Sequence, residues 1–378
     1  MSGGAAAGFR QLAAVAVRAG REKTRRGVDR RLRRGWHARP LDLERDRVVL
    51  LFFADVEGGR RTRHLKLAAR RIVHASRGGQ RVSGFEIAFR GLLRSLKAVG
   101  YVPVVDDYAL AAANPTYPIG LAGYPHILAH WTLPNPIVLG PGMFDHPSLS
   151  LDAAADQRVR SLVMPCQWLD DLFAPVWAGR TVRWYSAIDT AEWPDASGEA
   201  KDLDFLVYDK IRWDRQRFVP EVLDPVLAEL DRTGARYEIV RYGAYDRDAY
   251  RKQLRRTKAM VFVCEHETQG LAYQEAMATG AAILAWDNGF WLDPQRFKYS
   301  DDPVPGSSVP FFDPVCGERF VDAAAFPAVL AAFRLGLADG RYHPRAYVEG
   351  ALSFEVSGHL YLDAYLDAAH QGASAGRR

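Results

Sequence analysis

The chain has few cysteines: three in 378 residues, Cys166, Cys264 and Cys316, far apart and without a C-x-x-C pair. That excludes a disulfide framework and a zinc-ribbon spacing, and points to a reducing compartment. Long apolar runs are missing as well. The strongest, Val48 to Val56, is strand-sized and interrupted by Asp55, while Ala109 to Leu128 is broken by prolines and glycines, so no segment reads as a membrane span. No G-x-x-x-x-G-K-[ST] loop occurs, no G-x-G-x-x-G follows a strand to open a helix, and H-E-x-x-H is absent. P-loop hydrolysis, ordinary dinucleotide binding and zincin chemistry therefore lack their motifs. Two D-x-D strings are present, Asp202-Leu-Asp204 and Asp246-Arg-Asp248, but neither follows a strand end, so no metal is expected.

The length suits two sizeable cores. Charge is unevenly spread, with Arg10, Arg18, Arg21, Lys23, Arg25, Arg26, Arg30, Arg31, Arg33, Arg34 and Arg39 set against only Glu22 and Asp29 in the first 40 residues. Two readings of this tail stand level: a solvated flexible segment, or a basic amphipathic helix lying on anionic lipid. Nucleic-acid binding is a third and is not carried forward. A cleaved secretory signal does not fit, because the apolar stretch is short and broken by Arg18.

After the tail, apolar runs recur as candidate strands at Arg47 to Ala54, Tyr101 to Val105, Pro136 to Leu139, Ser161 to Met164, Thr181 to Trp184, Phe205 to Tyr208, Tyr237 to Val240, Ala259 to Cys264 and Ala281 to Ala285. Helical patterns lie between several of them, as in Phe85 to Val99 and Val219 to Arg232. The alternation predicts an α/β chain of βαβ units with parallel sheets. Turn-rich Ala191 to Ala200 marks the best break. The expected division is a tail over 1–40, a domain over 41–193, a second over 200–350 and a closing helix with tail over 351–378.

The most informative stretch is Val261-Phe-Val-Cys-Glu-His-Glu-Thr-Gln-Gly-Leu-Ala-Tyr-Gln-Glu-Ala-Met-Ala-Thr-Gly280: a strand, a polar loop and a helix start. The unpaired N–H groups and positive dipole end of such a helix suit an anion near Gly270, Leu271 and Ala272. Glu267 and Glu275 frame it roughly 12 Å apart, too far to share a proton, so they should hold different ends of one elongated ligand.

This stretch resembles the signature of family-four retaining glycosyltransferases of GT-B fold: Glu267, seven residues and Glu275, followed by Ala276-Met277-Ala278-Thr279-Gly280 and an apolar run. The resemblance implies two Rossmann-like domains facing each other across a cleft. It also implies that Glu267 holds donor-sugar hydroxyls, that Thr268, Gln269, Gly270, Leu271 and Ala272 receive the diphosphate, and that Glu275 binds the ribose. Lys210 and Arg212, after the strand Phe205 to Tyr208, match the basic pair that grips the donor phosphates. Tyr242 and Gly243 lie where the nucleobase is received. On the acceptor side, Asp145 and His146 follow the strand Pro136 to Leu139, with His146 as the catalytic or leaving-group contact and His130 as its rival. Gly79 and Gly84 belong to a stretch like the family's first-domain glycine loop; a plain loop leading into the helix is the alternative.

The implied activity is metal-independent transfer, with retention, from a nucleotide-diphospho-sugar to a surface-polysaccharide or glycolipid acceptor, without a cofactor. The implied setting is cytoplasmic, with the tail as a peripheral attachment to the inner membrane face. A non-catalytic membrane-peripheral scaffold and a nucleotide-sugar epimerase are the alternatives.

Overall fold

The structure is a computed structural model that describes residues 35–54, 84–142 and 144–375. Two wholly parallel sheets organise it. The first has the order β2-β1-β3-β4-β5-β6, with β1 Val48–Ala54, β2 Val102–Val105, β3 Ile119–Gly123, β4 Ile137–Leu139, β5 Val159–Met164 and β6 Thr181–Arg183. The second has the order β11-β10-β9-β7-β8, with β7 Leu203–Lys210, β8 Tyr237–Arg241, β9 Thr257–Cys264, β10 Ala282–Trp286 and β11 Gly317–Phe320. Every residue of β1 is buried, as a continuous apolar run in a two-faced parallel sheet requires.

Among the described residues, helices of eight or more are α1 Gly84–Ala98, α2 Gln167–Trp177, α3 Asp224–Arg232, α4 Arg247–Arg256, α5 Leu271–Ala278, α6 Phe326–Ala338, α7 Pro344–Ala351 and α8 Phe354–Ala375. Each strand and helix expected after the tail is found, with ends shifted by a few residues; the tail up to Arg34, with its amphipathic-helix reading, lies outside the described residues.

Two strands escape the sequence reading. One is β3, inside the stretch taken as apolar and broken by glycine. A Cβ on Gly120 would lie 2.1 Å from the Tyr361 hydroxyl, so this strand surrenders a side chain to let α8 approach. The other is β11, a four-residue edge strand.

Both sheets follow one plan. The first strand of each, β1 or β7, lies inside, flanked by the second strand on one side and the third on the other. Sheet order therefore reverses between β1 and β3 and between β7 and β9, and ligands of open α/β sheets collect beyond the carboxyl ends at such points.

The domains are tied together in three ways. Helix α8 returns to the first domain, where the Tyr365 hydroxyl accepts from Leu50 N at 2.9 Å and donates to Pro118 O. Trp184 Nε1 donates to Ser357 O at 3.0 Å. The segment after β10 carries Trp291 into the first domain's core and lays Tyr299 flat on His146, ring centroids 4.0 Å apart. At the other end of the chain, buried Trp36 belongs to the first-domain core, so the folded domain begins ahead of residue 40.

Candidate active site

Strands β7 and β9 are neighbours, with Lys210 opposite Cys264 in register, so their carboxyl ends deliver two loops to one place. Glu265 ties them together. Its buried carboxylate accepts from Arg212 N at 2.8 Å and Trp213 N at 2.7 Å. Arg215 grips Asp209 through two bonds of 2.8 Å and fixes the same turn from below.

The Lys210 ammonium meets the Glu267 carboxylate in an ion pair whose side chains are only 11% and 10% exposed. Burial works against the Lys210 charge, but the Glu267 carboxylate more than offsets it with help from smaller neighbours, and the ammonium's pKa is raised. The exposed ring of Tyr242 stands 4.6 Å from Lys210 Nζ and 5.9 Å from the Arg212 guanidinium carbon. Arg212 itself is exposed and makes no ion pair among the described residues. Gly243 follows in an exposed turn.

Beyond Glu267 the loop passes exposed Thr268 and turns at Gly270, whose φ of +79° lies in the left-handed region. No side chain caps α5, so its first-turn N–H groups, from Leu271 and Ala272 onward, remain for an incoming anion. Gln269 is different: its side-chain amide takes both the N–H and the C=O of Ser186, and its carbonyl accepts from Gln274, so only its backbone N–H is left for a ligand.

One helical turn on, Glu275 is 7% exposed and receives Arg247 Nη2 at 3.0 Å. Burial raises its pKa to about 7 in spite of that attraction. Glu192 holds Arg247 at 3.2 Å and Arg251 at 3.0 Å, with both guanidiniums over the ring of Trp193. Neither Arg247 nor Glu192 stood out in the sequence. The signal was there in Asp246, which caps α4 through Asp248 N and Ala249 N and so sets Arg247 on the first turn. A cleft of about 530 Å³ runs past Glu275, Arg247 and Leu271 of the second domain, past Trp193, which packs in that domain's core although the expected boundary put it in the first, and past Arg90 and Arg94 of α1.

On the facing side, His146 has structural duties. Its Nδ1 accepts from Ser148 N at 3.2 Å and caps the turn Pro147–Ser150, while one ring face is covered by Tyr299. Nε2 is the ring nitrogen left for a substrate, and burial lowers the pKa. Asp145 is exposed beside it. His130 ends a short helix and is also exposed. Gly84 opens α1, and a Cβ there would meet nothing within 4 Å; Gly79 lies outside the described residues.

The D-x-D aspartates are committed elsewhere: Asp202 to Arg256, Asp204 to Lys258, Asp246 to its cap and Asp248 to Arg251. Among the described residues no group of three or more His, Cys, Asp or Glu could hold a metal ion, and no helix is long and apolar enough to cross a membrane.

No family model and no curated protein matches the chain. Solved structures do. The catalytic domain of starch synthase IV from Arabidopsis thaliana, bound to ADP and acarbose, aligns with a TM-score of 0.52 at 9% identity over 85% of this chain and 99% of that one. The lipopolysaccharide outer core galactosyltransferase WaaB, in its apo form, aligns at 0.46 and 10% identity over 85% and 99%. Against the GtfA/B complex, at 0.41 and 10% identity, 63% of this chain is covered and the match spans only 54% of the other. At 9% identity the likeness to the starch synthase domain speaks for architecture alone. Two parallel sheets of matching plan, joined through a cleft and closed by a helix that returns to the first domain, make this a GT-B two-domain fold.

Proposed function

We propose that the protein is a glycosyltransferase that moves a sugar from a nucleotide-diphospho-sugar to a saccharide or glycolipid acceptor, with retention and without a metal. The observation that carries this reading is the buried Lys210–Glu267 pair at the switch point of the second sheet, beside the uncapped start of α5. A lysine, an arginine and a row of free N–H groups suit a diphosphate, whose negative charge grows as the sugar departs. In this reading Glu267 accepts hydrogen bonds from sugar hydroxyls, and Glu275, one turn into α5, from the ribose. Tyr242 offers a flat face beside Lys210.

In the transfer, the bond from the anomeric carbon to the diphosphate oxygen breaks through an oxocarbenium-like state. The acceptor oxygen bonds to the same face, and its proton passes to the departing phosphate. No protein nucleophile is required. The cytoplasmic face of a membrane is the proposed setting, through the basic tail and a lipid-linked or surface-polysaccharide acceptor.

A thermal-shift screen of UDP, GDP and ADP tests the first half, since a nucleotide at 100 times its dissociation constant adds about 2.7 kcal/mol of stability. Product analysis from the matching nucleotide-hexoses, with and without acceptor and chelator, tests the second. Transfer that survives chelator is expected. Sugar epimerisation, or binding without any turnover, would overturn the reading.

A further inference from the structure

The loop Glu265 to Gly270 is held partly from outside its own domain. Within the second domain, Asn288 Nδ2 donates to Glu265 O at 2.8 Å, Glu267 N donates to Ser307 O at 2.8 Å and Gln274 Nε2 donates to Gln269 O at 2.7 Å. Two further attachments cross the joint. Trp168, in the first turn of α2, donates its indole N–H to the carbonyl of Glu267 at 2.9 Å, and both partners are buried. Gln269 takes the backbone N–H and C=O of Ser186, in the connector that follows β6.

Trp168 is anchored in the first-domain core, packed 5.9 Å from Trp291 and 6.3 Å from His266. An indole suits this place because one end packs in the core while the N–H reaches out to a partner. The carbonyl it holds belongs to the residue whose carboxylate meets Lys210.

We propose that Trp168 is a positioning residue: its N–H, donated across the domain joint, sets the backbone of Glu267 and so aligns that carboxylate with the first domain's acceptor face. The inference rests on the glycosyl-transfer reading of the site. Nucleotide binding depends on Glu275, the start of α5 and the basic pair, all within the second domain, whereas transfer needs both domains in register. Loss of the indole bond should therefore reach turnover and spare nucleotide affinity.

Trp168→Phe in the full chain keeps a ring in the core and removes the N–H. Its kcat for nucleotide release from UDP-, GDP- and ADP-hexoses, measured well below the melting temperature, should fall roughly 10- to 100-fold while UDP, GDP or ADP affinity changes by less than about threefold. A change in stability with kcat intact, or a parallel loss of affinity, would overturn the positioning role. If Trp168→Phe does not fold, benzothienylalanine at position 168, which keeps the bicyclic ring in the core and lacks the N–H, is judged by the same split. Wild-type protein that binds none of the three nucleotides and turns over none of the donors would instead overturn the transfer reading itself, so the two failures are told apart.

Discussion

The Lys210 ammonium is paired with the Glu267 carboxylate across the two adjacent strands where the second sheet reverses its order. The pair satisfies two buried charges in the absence of a donor, and it puts a cation for phosphate and an acceptor for sugar hydroxyls side by side.

This arrangement separates two substitutions that look alike in sequence. Lys210→Ala strands a buried carboxylate, so it should cost about 3–5 kcal/mol of stability as well as turnover. Adding Glu267→Gln should recover much of the stability and none of the activity. Arg212 is exposed and free of ion pairs among the described residues, so Arg212→Ala should leave stability within about 0.5 kcal/mol. Its turnover should still fall roughly 100-fold, through loss of a charge beside the departing diphosphate. Denaturant titration and single-turnover assays of the three variants check this, and near-normal turnover in Arg212→Ala would remove it from the phosphate site.

Glu275 makes the chain sensitive to pH near neutrality. Burial lifts its pKa from 4.5 to about 7, so the folded protein keeps a proton that the unfolded chain has already released. Stability from this group is then present below about pH 4.5 and is lost as pH rises towards 7, by up to ~3 kcal/mol. Glu275→Gln should flatten that slope in thermal melts between pH 5 and 8. Ribose hydroxyls donate to the ionised form, so nucleotide affinity should move the other way and rise by up to about tenfold from pH 6 to 8. The nucleotide's own phosphate ionisation is removed by subtracting the same titration in Glu275→Gln. Parallel pH profiles for wild type and variant would refute the ribose contact.

Gly270 is a place where the backbone conformation and the anion site are one thing. Its φ is +79°, and a Cβ would sit 2.1 Å from a ring carbon of fully buried Tyr273. Gly270→Ala costs about 1–2 kcal/mol in the left-handed region alone, and the clash forces the loop to move. Nucleotide affinity by isothermal titration should drop together with stability. A destabilised variant that binds as tightly as wild type would mean the amides after Gly270 do not hold the ligand.

How much of this was legible depends on how local the cause is. The run Val261 to Gly280 reveals strand, loop and helix because each feature is set by its own residues: the apolar run, the glycine at the turn and the unbroken helix formers. Strand β1 is legible for the same reason. Strand β3 is not, because Gly120 answers to Tyr361, which reaches it from the far end of the chain. Arg247 is hidden likewise, since the carboxylates it serves lie 28 and 55 residues away, and the indole bond to Glu267 spans 99. The sequence places His146 after β4, but only the structure shows its Nδ1 spent on a cap and one face covered by Tyr299. Elements follow from local pattern; what each side chain is committed to follows from packing between distant segments.

The basic tail offers the last test, and the structure decides where to cut. Trp36 is 6% exposed in the first-domain core, Leu41 N donates to Asn114 Oδ1 at 2.7 Å, and Arg39 pairs with Asp46. Removing residues up to Pro40 would therefore damage the fold, whereas a truncation ahead of Gly35 takes ten of the basic residues, Arg10 to Arg34, and spares these contacts. The shortened chain should melt and bind nucleotide as the full chain does. If the tail lies on lipid, each basic residue near an anionic surface adds about 1 kcal/mol. Full-length protein should then pellet with phosphatidylserine vesicles at low salt and release as salt shrinks the Debye length to about 8 Å and below. Neutral vesicles should retain neither form. Equal pelleting of the two forms, or pelleting indifferent to lipid charge, would leave the tail as a solvated segment and the acceptor without this link to a membrane.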